Sequence, residues 1–156
     1  LFRSTLSLDA TKKTLLVLGG SQGSEFLNNL LQTVPLSLLH DWNIIHQTGT
    51  AHVTQCKAFY TKHGLENAIV FDYQSNLIPY YQAADLVICR AGAGTLFETL
   101  FFEKRCIVIP LETAITDHQL DNALACAQEH PALVTVLRQA KIKADPALFL
   151  KALQHS

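Results

Sequence analysis

Thr14-Leu15-Leu16-Val17-Leu18-Gly19-Gly20-Ser21-Gln22-Gly23-Ser24 is the stretch on which the fold turns. A short apolar run that halts at two glycines reads as a strand buried on both faces, the kind a parallel sheet uses. After the glycines, Ser24 opens a segment in which Phe26, Leu27, Leu30, Leu31 and Val34 recur at a helical period. That segment runs to about Leu39, and Pro35 bends or ends its regular part. Strand, glycine turn and helix form one repeat of an alternating architecture.

The alternation continues along the chain. Asn43 to Gln47 is a second strand, and Thr50 to His63 a helix closed by Gly64. Ala68 to Phe71 is a third strand, followed by a short helix from Asn76 to Ala83. Leu86 to Cys89 is the fourth, leading into a helix from Gly94 to Phe102. Cys106 to Ile109 is the fifth, stopped by Pro110. A helix from Asp117 to Glu129 takes Asp117 or Thr116 as its cap. Leu133 to Val136 is the sixth strand, and Asp145-Pro146 opens a last helix. Strands alternating with helices imply an α/β fold, a doubly wound parallel sheet, Rossmann-like. Residues 1–13 are the least patterned and suggest the remnant of an interdomain linker, leaving 14–156 as one domain. The first residue is not Met, which suits a fragment.

Composition removes several classes. The chain has 156 residues, 49% of them hydrophobic, enough for a core and against disorder. Twelve Lys+Arg stand against 13 Asp+Glu, with no basic face, so nucleic acid is not the expected partner. No apolar run approaches the roughly 18 residues of a membrane span. Cys56, Cys89, Cys106 and Cys126 form no C-x-x-C pair and read as buried free thiols of a reducing compartment.

Three loops follow strands, at the edge of a parallel sheet where ligands bind. Gly19 to Ser24 opens a helix, and a helix start offers unpaired amides and a partial positive charge to a diphosphate. Its spacing is neither G-x-G-x-x-G nor G-x-x-x-x-G-K-[ST], which disfavours dinucleotides and ATP; the plain alternative is a tight turn. Arg90 to Glu98 is the second loop. Thr95 can meet a phosphate or sugar hydroxyl, and Glu98, one turn on, can accept hydrogen bonds from a ribose diol or merely complement the helix dipole. Thr116-Asp117-His118-Gln119, with Asn122, can read sugar hydroxyls or simply cap a helix. No D-x-D pair is present to hold a divalent ion, nor H-x-x-x-H or H-E-x-x-H. No metal or cofactor is therefore expected, and leaving-group charge falls to amides, hydroxyls and helix ends. His46 ends a strand and is a candidate to line the cleft.

These segments, in this order, resemble the C-terminal, donor-binding domain of the GT-B glycosyltransferases of family 28. The family moves N-acetylglucosamine from UDP-GlcNAc to undecaprenyl-pyrophosphoryl-MurNAc-pentapeptide in peptidoglycan synthesis. The pieces that carry the resemblance are G-G-S-Q-G-S with Asn28, His46-Gln47-Thr48-Gly49, Ala84 to Arg90, Ala91 to Glu98, Ile109-Pro110, and Asp117-His118-Gln119 with Asn122-Ala123. The resemblance implies that Gly19, Gly20, Ser21, Gln22 and Gly23 meet the diphosphate. It implies that Tyr73, Gln74 and Leu77 take the uracil, and that Thr95 contacts the donor and Glu98 the ribose. Ala93, Gly94, His118 and Gln119 would surround the GlcNAc.

Two departures stand out. Ala91 replaces a serine usual in the family, and Arg3 is the only candidate for an arginine the family places before the first strand. The resemblance further implies a metal-independent inverting transferase whose general base and lipid-acceptor site lie on an absent N-terminal domain. That enzyme would be cytoplasmic and peripheral on the inner face of the bacterial membrane. The competing readings are the soluble subunit of the enzyme that adds the second GlcNAc to dolichol-linked sugar, a nucleotide-binding module without chemistry, and a Rossmann oxidoreductase. The last is disfavoured by Gln47, which stands where an acidic residue would end the second strand.

Overall fold

In a computed structural model, residues 2–113 and 118–156 are described, the side chains of residues 2 and 3 excepted. The expected cap at Thr116 or Asp117 lies outside the described residues. The chain divides into two compact units, Leu1–Asp85 and Leu86–Ser156. Each holds three parallel strands flanked by helices, so the class is the α/β, doubly wound parallel fold that the alternation implies.

The first unit contains α1 (Phe2–Thr5), β1 (Lys13–Leu18), α2 (Glu25–Gln32), α3 (Leu36–His40), β2 (Trp42–Gln47), α4 (Val53–Lys62), β3 (Ile69–Phe71) and α5 (Ile78–Ala83). Its strands lie in the order β3-β2-β1. Leu15 pairs with Ile44 and Leu18 with Gln47, while His46 pairs with Val70. Leu15, Leu16, Leu27, Leu31, Leu39, Ile44 and Ile45 are buried, so the two faces of β1 and β2 carry the continuous apolar pattern of a covered parallel sheet.

The single helix expected between Ser24 and Leu39 is two helices, because Pro35 has no N–H to continue the first and instead caps the second. The Ser24 hydroxyl caps α2, accepting from the Leu27 amide at 3.3 Å. Gly64 closes α4 with φ +71°, and Leu65 N–H reaches back to Tyr60 C=O at 2.9 Å. The segment read as a connection carries α1 and a reciprocal pair. Asp9 N–H donates to Asn43 Oδ1 at 2.9 Å, and Asn43 Nδ2 donates to Asp9 C=O at 2.8 Å.

The second unit contains β4 (Leu86–Cys89), α6 (Ala93–Phe101), β5 (Arg105–Val108), α7 (His118–Glu129), β6 (Val134–Val136), α8 (Gln139–Ala144) and α9 (Ala147–Gln154). Its order is β4-β5-β6, with Cys89 opposite Val108 and Val108 opposite Val136. Leu86, Val87, Ile88, Ile107, Val108, Phe149 and Leu153 fill its core. Helix α8 has no counterpart in the sequence reading, since only Ile142 gives it a buried apolar residue. All four cysteines are free thiols, and three are buried.

Candidate functional site

In the first unit, the loops after β1, β2 and β3 meet at the carboxyl ends of the strands. The loop after β1 folds as a turn, with Gly23 N–H donating to Gly20 C=O at 3.0 Å. Ser21 and Gln22 stand exposed at its tip. Gly20 has φ +88°, which favours glycine, and no atom lies within 4 Å of where a Cβ would sit. The other glycines answer to the chain itself. A Cβ on Gly23 would come 2.2 Å from Thr48 C=O, and one on Gly49 would come 2.6 Å from Gln22 C=O. A Cβ on Gly19 would come 2.6 Å from the Ser24 nitrogen. Gly23 and Gly49 thus let the loops after β1 and β2 touch backbone to backbone.

The same two loops are tied to β3 and the loop behind it. Thr48 N–H donates to Phe71 C=O at 2.9 Å, and Gly49 N–H to Asp72 C=O at 3.1 Å. Tyr73 (54% exposed), Gln74 and the half-buried Leu77 follow directly. The structure therefore gathers the residues expected for diphosphate and for uracil on one edge of this unit. Helix α2 starts there, and a helix leaves its first amides without partners inside the helix.

His46 is the residue the structure relocates. It is 1% exposed, so it lines no cleft. Its Nδ1 lies 2.9 Å from the Tyr60 hydroxyl and its Nε2 3.0 Å from Asn28 Oδ1. Asn28 Nδ2 donates to Thr48 C=O at 3.0 Å. That bond leaves Oδ1 as the face of Asn28 turned to the ring, so Nε2 carries the proton and Nδ1 accepts from Tyr60. Burial pushes the imidazole pKa down to about 3 and the Tyr60 phenol well above its usual range. A histidine held neutral with both nitrogens occupied is not a general base.

In the second unit the loop after β4 leads into α6. Gly92 caps that helix without a side-chain hydrogen bond, and no acidic residue sits in its first turn. Ala93 and Gly94 are exposed, and nothing lies within 4 Å of a Cβ on Gly94. Gly94 has no positive φ to demand glycine, yet glycine costs a helix about 1 kcal/mol relative to alanine. The chain's own packing gives no reason for it, whereas a ligand close to the helix start does. Glu98 is exposed, four residues beyond Gly94 and three beyond Thr95, hence on their face of the helix. It lies past the first turn, where the dipole effect fades, so a pure dipole role suits it poorly.

Gln119 does more than the sequence suggests. Its Oε1 accepts from Ala91 N–H at 3.2 Å and from Leu111 N–H at 2.9 Å, pinning the loops after β4 and β5. Its carbonyl is thus committed within the chain. His118, the first residue of α7, is exposed. Arg90 is buried and works as a clamp. It donates to Ile109 C=O at 3.1 Å, Pro110 C=O at 3.3 Å and Gln139 Oε1 at 3.0 Å, and burial pulls its pKa down. Arg90 as a clamp and Gln119 as a bridge left no signal in the sequence, because their partners are main-chain groups.

Comparison with known proteins decides the family. The profile of the glycosyltransferase family 28 C-terminal domain matches residues 14–149. The chain belongs to this family. One relative is the UDP-N-acetylglucosamine–N-acetylmuramyl-(pentapeptide) pyrophosphoryl-undecaprenol N-acetylglucosamine transferase of Campylobacter fetus, 41% identical over 123 residues, 78% of this chain and 36% of that one. The protein of the same description in Thermosipho africanus is 37% identical over 139 residues, 89% of this chain and 38% of that one. Among solved structures, the MurG of Acinetobacter baumannii superposes with a TM-score of 0.72 at 27% identity, covering 91% of this chain and 43% of that one. The family 28 domain described here thus spans well under half the length of the relatives it matches. Membership also sets aside the oxidoreductase reading.

Proposed function

We propose that this chain is the donor-binding half of a metal-independent, inverting transferase. The enzyme moves N-acetylglucosamine from UDP-GlcNAc to an undecaprenyl-linked MurNAc-pentapeptide, the lipid intermediate of peptidoglycan synthesis. An acceptor hydroxyl, relieved of its proton by a base outside this chain, attacks the anomeric carbon in line. The bond from that carbon to the diphosphate oxygen breaks, and UDP leaves with the electron pair. The helix starts of α2 and α6 offer amides and partial positive charge to the departing diphosphate, the task a metal ion performs elsewhere. Ser21 and its flanking glycines meet the diphosphate; Tyr73, Gln74 and Leu77 hold the uracil, and Glu98 the ribose. Thr95, Ala93, Gly94, His118 and the amide of Gln119 attend the sugar. The observation that carries this reading is the uncapped start of α6, with Gly94 open to space and Glu98 one turn on. Both curated relatives are named for the same transfer. Among the described residues no helix is long and apolar enough to cross a membrane, and the proposed enzyme works as a peripheral protein at the inner face of the bacterial membrane.

Titration calorimetry in EDTA tests it. UDP-GlcNAc binds with no divalent ion, NAD does not, and Glu98→Ala weakens binding by about 1–3 kcal/mol, the scale of lost charged hydrogen bonds. Tight NAD binding without UDP binding sinks the assignment, and an unchanged dissociation constant for Glu98→Ala removes Glu98 from the site.

A further inference from the structure

We propose that Asn28 and His46 are positioning residues for the loop Gly20–Gly23, acting through a relay of donors that runs from Tyr60 to the Thr48 carbonyl. The proposal rests on the reading of that loop as the diphosphate cradle. The Tyr60 hydroxyl donates to His46 Nδ1 at 2.9 Å, His46 Nε2–H donates to Asn28 Oδ1 at 3.0 Å, and Asn28 Nδ2–H donates to Thr48 C=O at 3.0 Å. Each step fixes the next. Tyr60 selects the tautomer, the tautomer selects the amide orientation, and the amide holds the carbonyl.

That carbonyl is the surface on which the loop rests, since it stands 2.2 Å from where a Gly23 Cβ would be. The relay also joins α4, β2 and α2, so it holds the start of α2 in register with the loop that precedes it. Asn28 and His46 are 2% and 1% exposed, too deep to touch a ligand themselves. Aligned donors in a dry interior strengthen one another, and a reversed member leaves a buried polar group unpaired. A purely apolar packing of α2 on β2 would hold the helix with no such rotational constraint.

Asn28→Asp is the direct probe. It keeps the shape but turns a second acceptor toward the Thr48 carbonyl, so the two oxygens repel and the loop shifts. In the ligand-free, 15N-labelled 156-residue chain, the amide resonances of Gly20, Gly23 and Gly49 move and exchange faster, while those of β4 to β6 stay in place. UDP affinity falls about tenfold, the scale of one disrupted hydrogen-bond contact, and uridine affinity, which needs no diphosphate contact, changes less than twofold. His46→Gln, whose amide can still donate to Asn28, retains most UDP affinity; His46→Leu does not. If Asn28→Asp does not fold, Tyr60→Phe decides, removing only the far hydroxyl and shifting the same glycine amides by less. Unmoved glycine amides in the folded variant overturn the proposal. So does an equal loss of UDP and uridine affinity, which marks a general loss of structure. If the unaltered chain binds neither nucleotide, the donor reading fails, while the ligand-free amides still decide the positioning role.

Discussion

A histidine with 1% exposure and a hydroxyl donated to its Nδ1 takes a proton only by giving up that acceptor in a place water does not reach. Its folded pKa of about 3 lies below the ordinary 6.5. The unfolded chain therefore binds a proton at His46 below pH 6.5, and the folded chain does not until about pH 3. The sign follows: stability is full above pH 6.5 and falls as the pH drops toward 3. Between pH 7.5 and 5 the loss is about 2 kcal/mol. Urea unfolding at those two pH values measures it, with His46→Gln as reference. The difference between the two proteins shrinks by that amount at pH 5, since other groups titrate alike in both. Asp9, whose carboxyl is lowered by the Thr11 hydroxyl and amide, is one of these. A constant difference across the two pH values would show that His46 titrates normally. The sequence places His46 at a strand end and no more, because its fate depends on Asn28 and Tyr60, 18 and 14 residues away.

At the scale of elements, the six strands were legible because each is a short apolar run bounded by glycine, proline or a polar turn, and the parallel class follows from their alternation with helices. The break at Pro35 was legible in kind but not in outcome: proline forbids continuation, and only packing of Leu39 makes a second helix rather than a loop. Helix α8 was not legible, since one buried isoleucine sets no period. The glycines show the limit most clearly. Gly20 and Gly94 face open space, whereas Gly19 and Gly23 press on their own backbone, and no local pattern separates the two kinds. Helix α6 turns that distinction into a prediction. Gly94→Ala adds a methyl where the chain offers nothing to strike, so the helix gains up to about 1 kcal/mol. If a donor approaches that turn, the same methyl lowers UDP-GlcNAc affinity by about 1–2 kcal/mol, as crowding a fitted space does. Thermal unfolding and calorimetry on one variant read both signs. A stabilised protein with undiminished affinity would leave Gly94 outside the site.

For the whole molecule, the question is whether these residues suffice for transfer. A general base must come within hydrogen-bond reach of the acceptor hydroxyl and accept its proton near neutral pH. Among the described residues at the strand-end loops and the helix starts that follow them, His46 is excluded by burial and bonding, Gln119 is no base, and Glu98 is proposed to hold a ribose diol. His118, exposed at the start of α7, is the histidine left near those loops. The family 28 relatives are more than twice as long as the stretch shared with this chain, which leaves ample room for a base elsewhere. The expected outcome is that the 156-residue chain binds UDP-GlcNAc but, given a lipid-linked acceptor analogue, releases UDP no faster than a blank without protein. Sustained UDP release would place the base here. His118→Ala then separates the remaining cases: loss of release with donor affinity intact assigns the proton transfer to His118, and retained release turns the search to the carboxylates, Glu98 first.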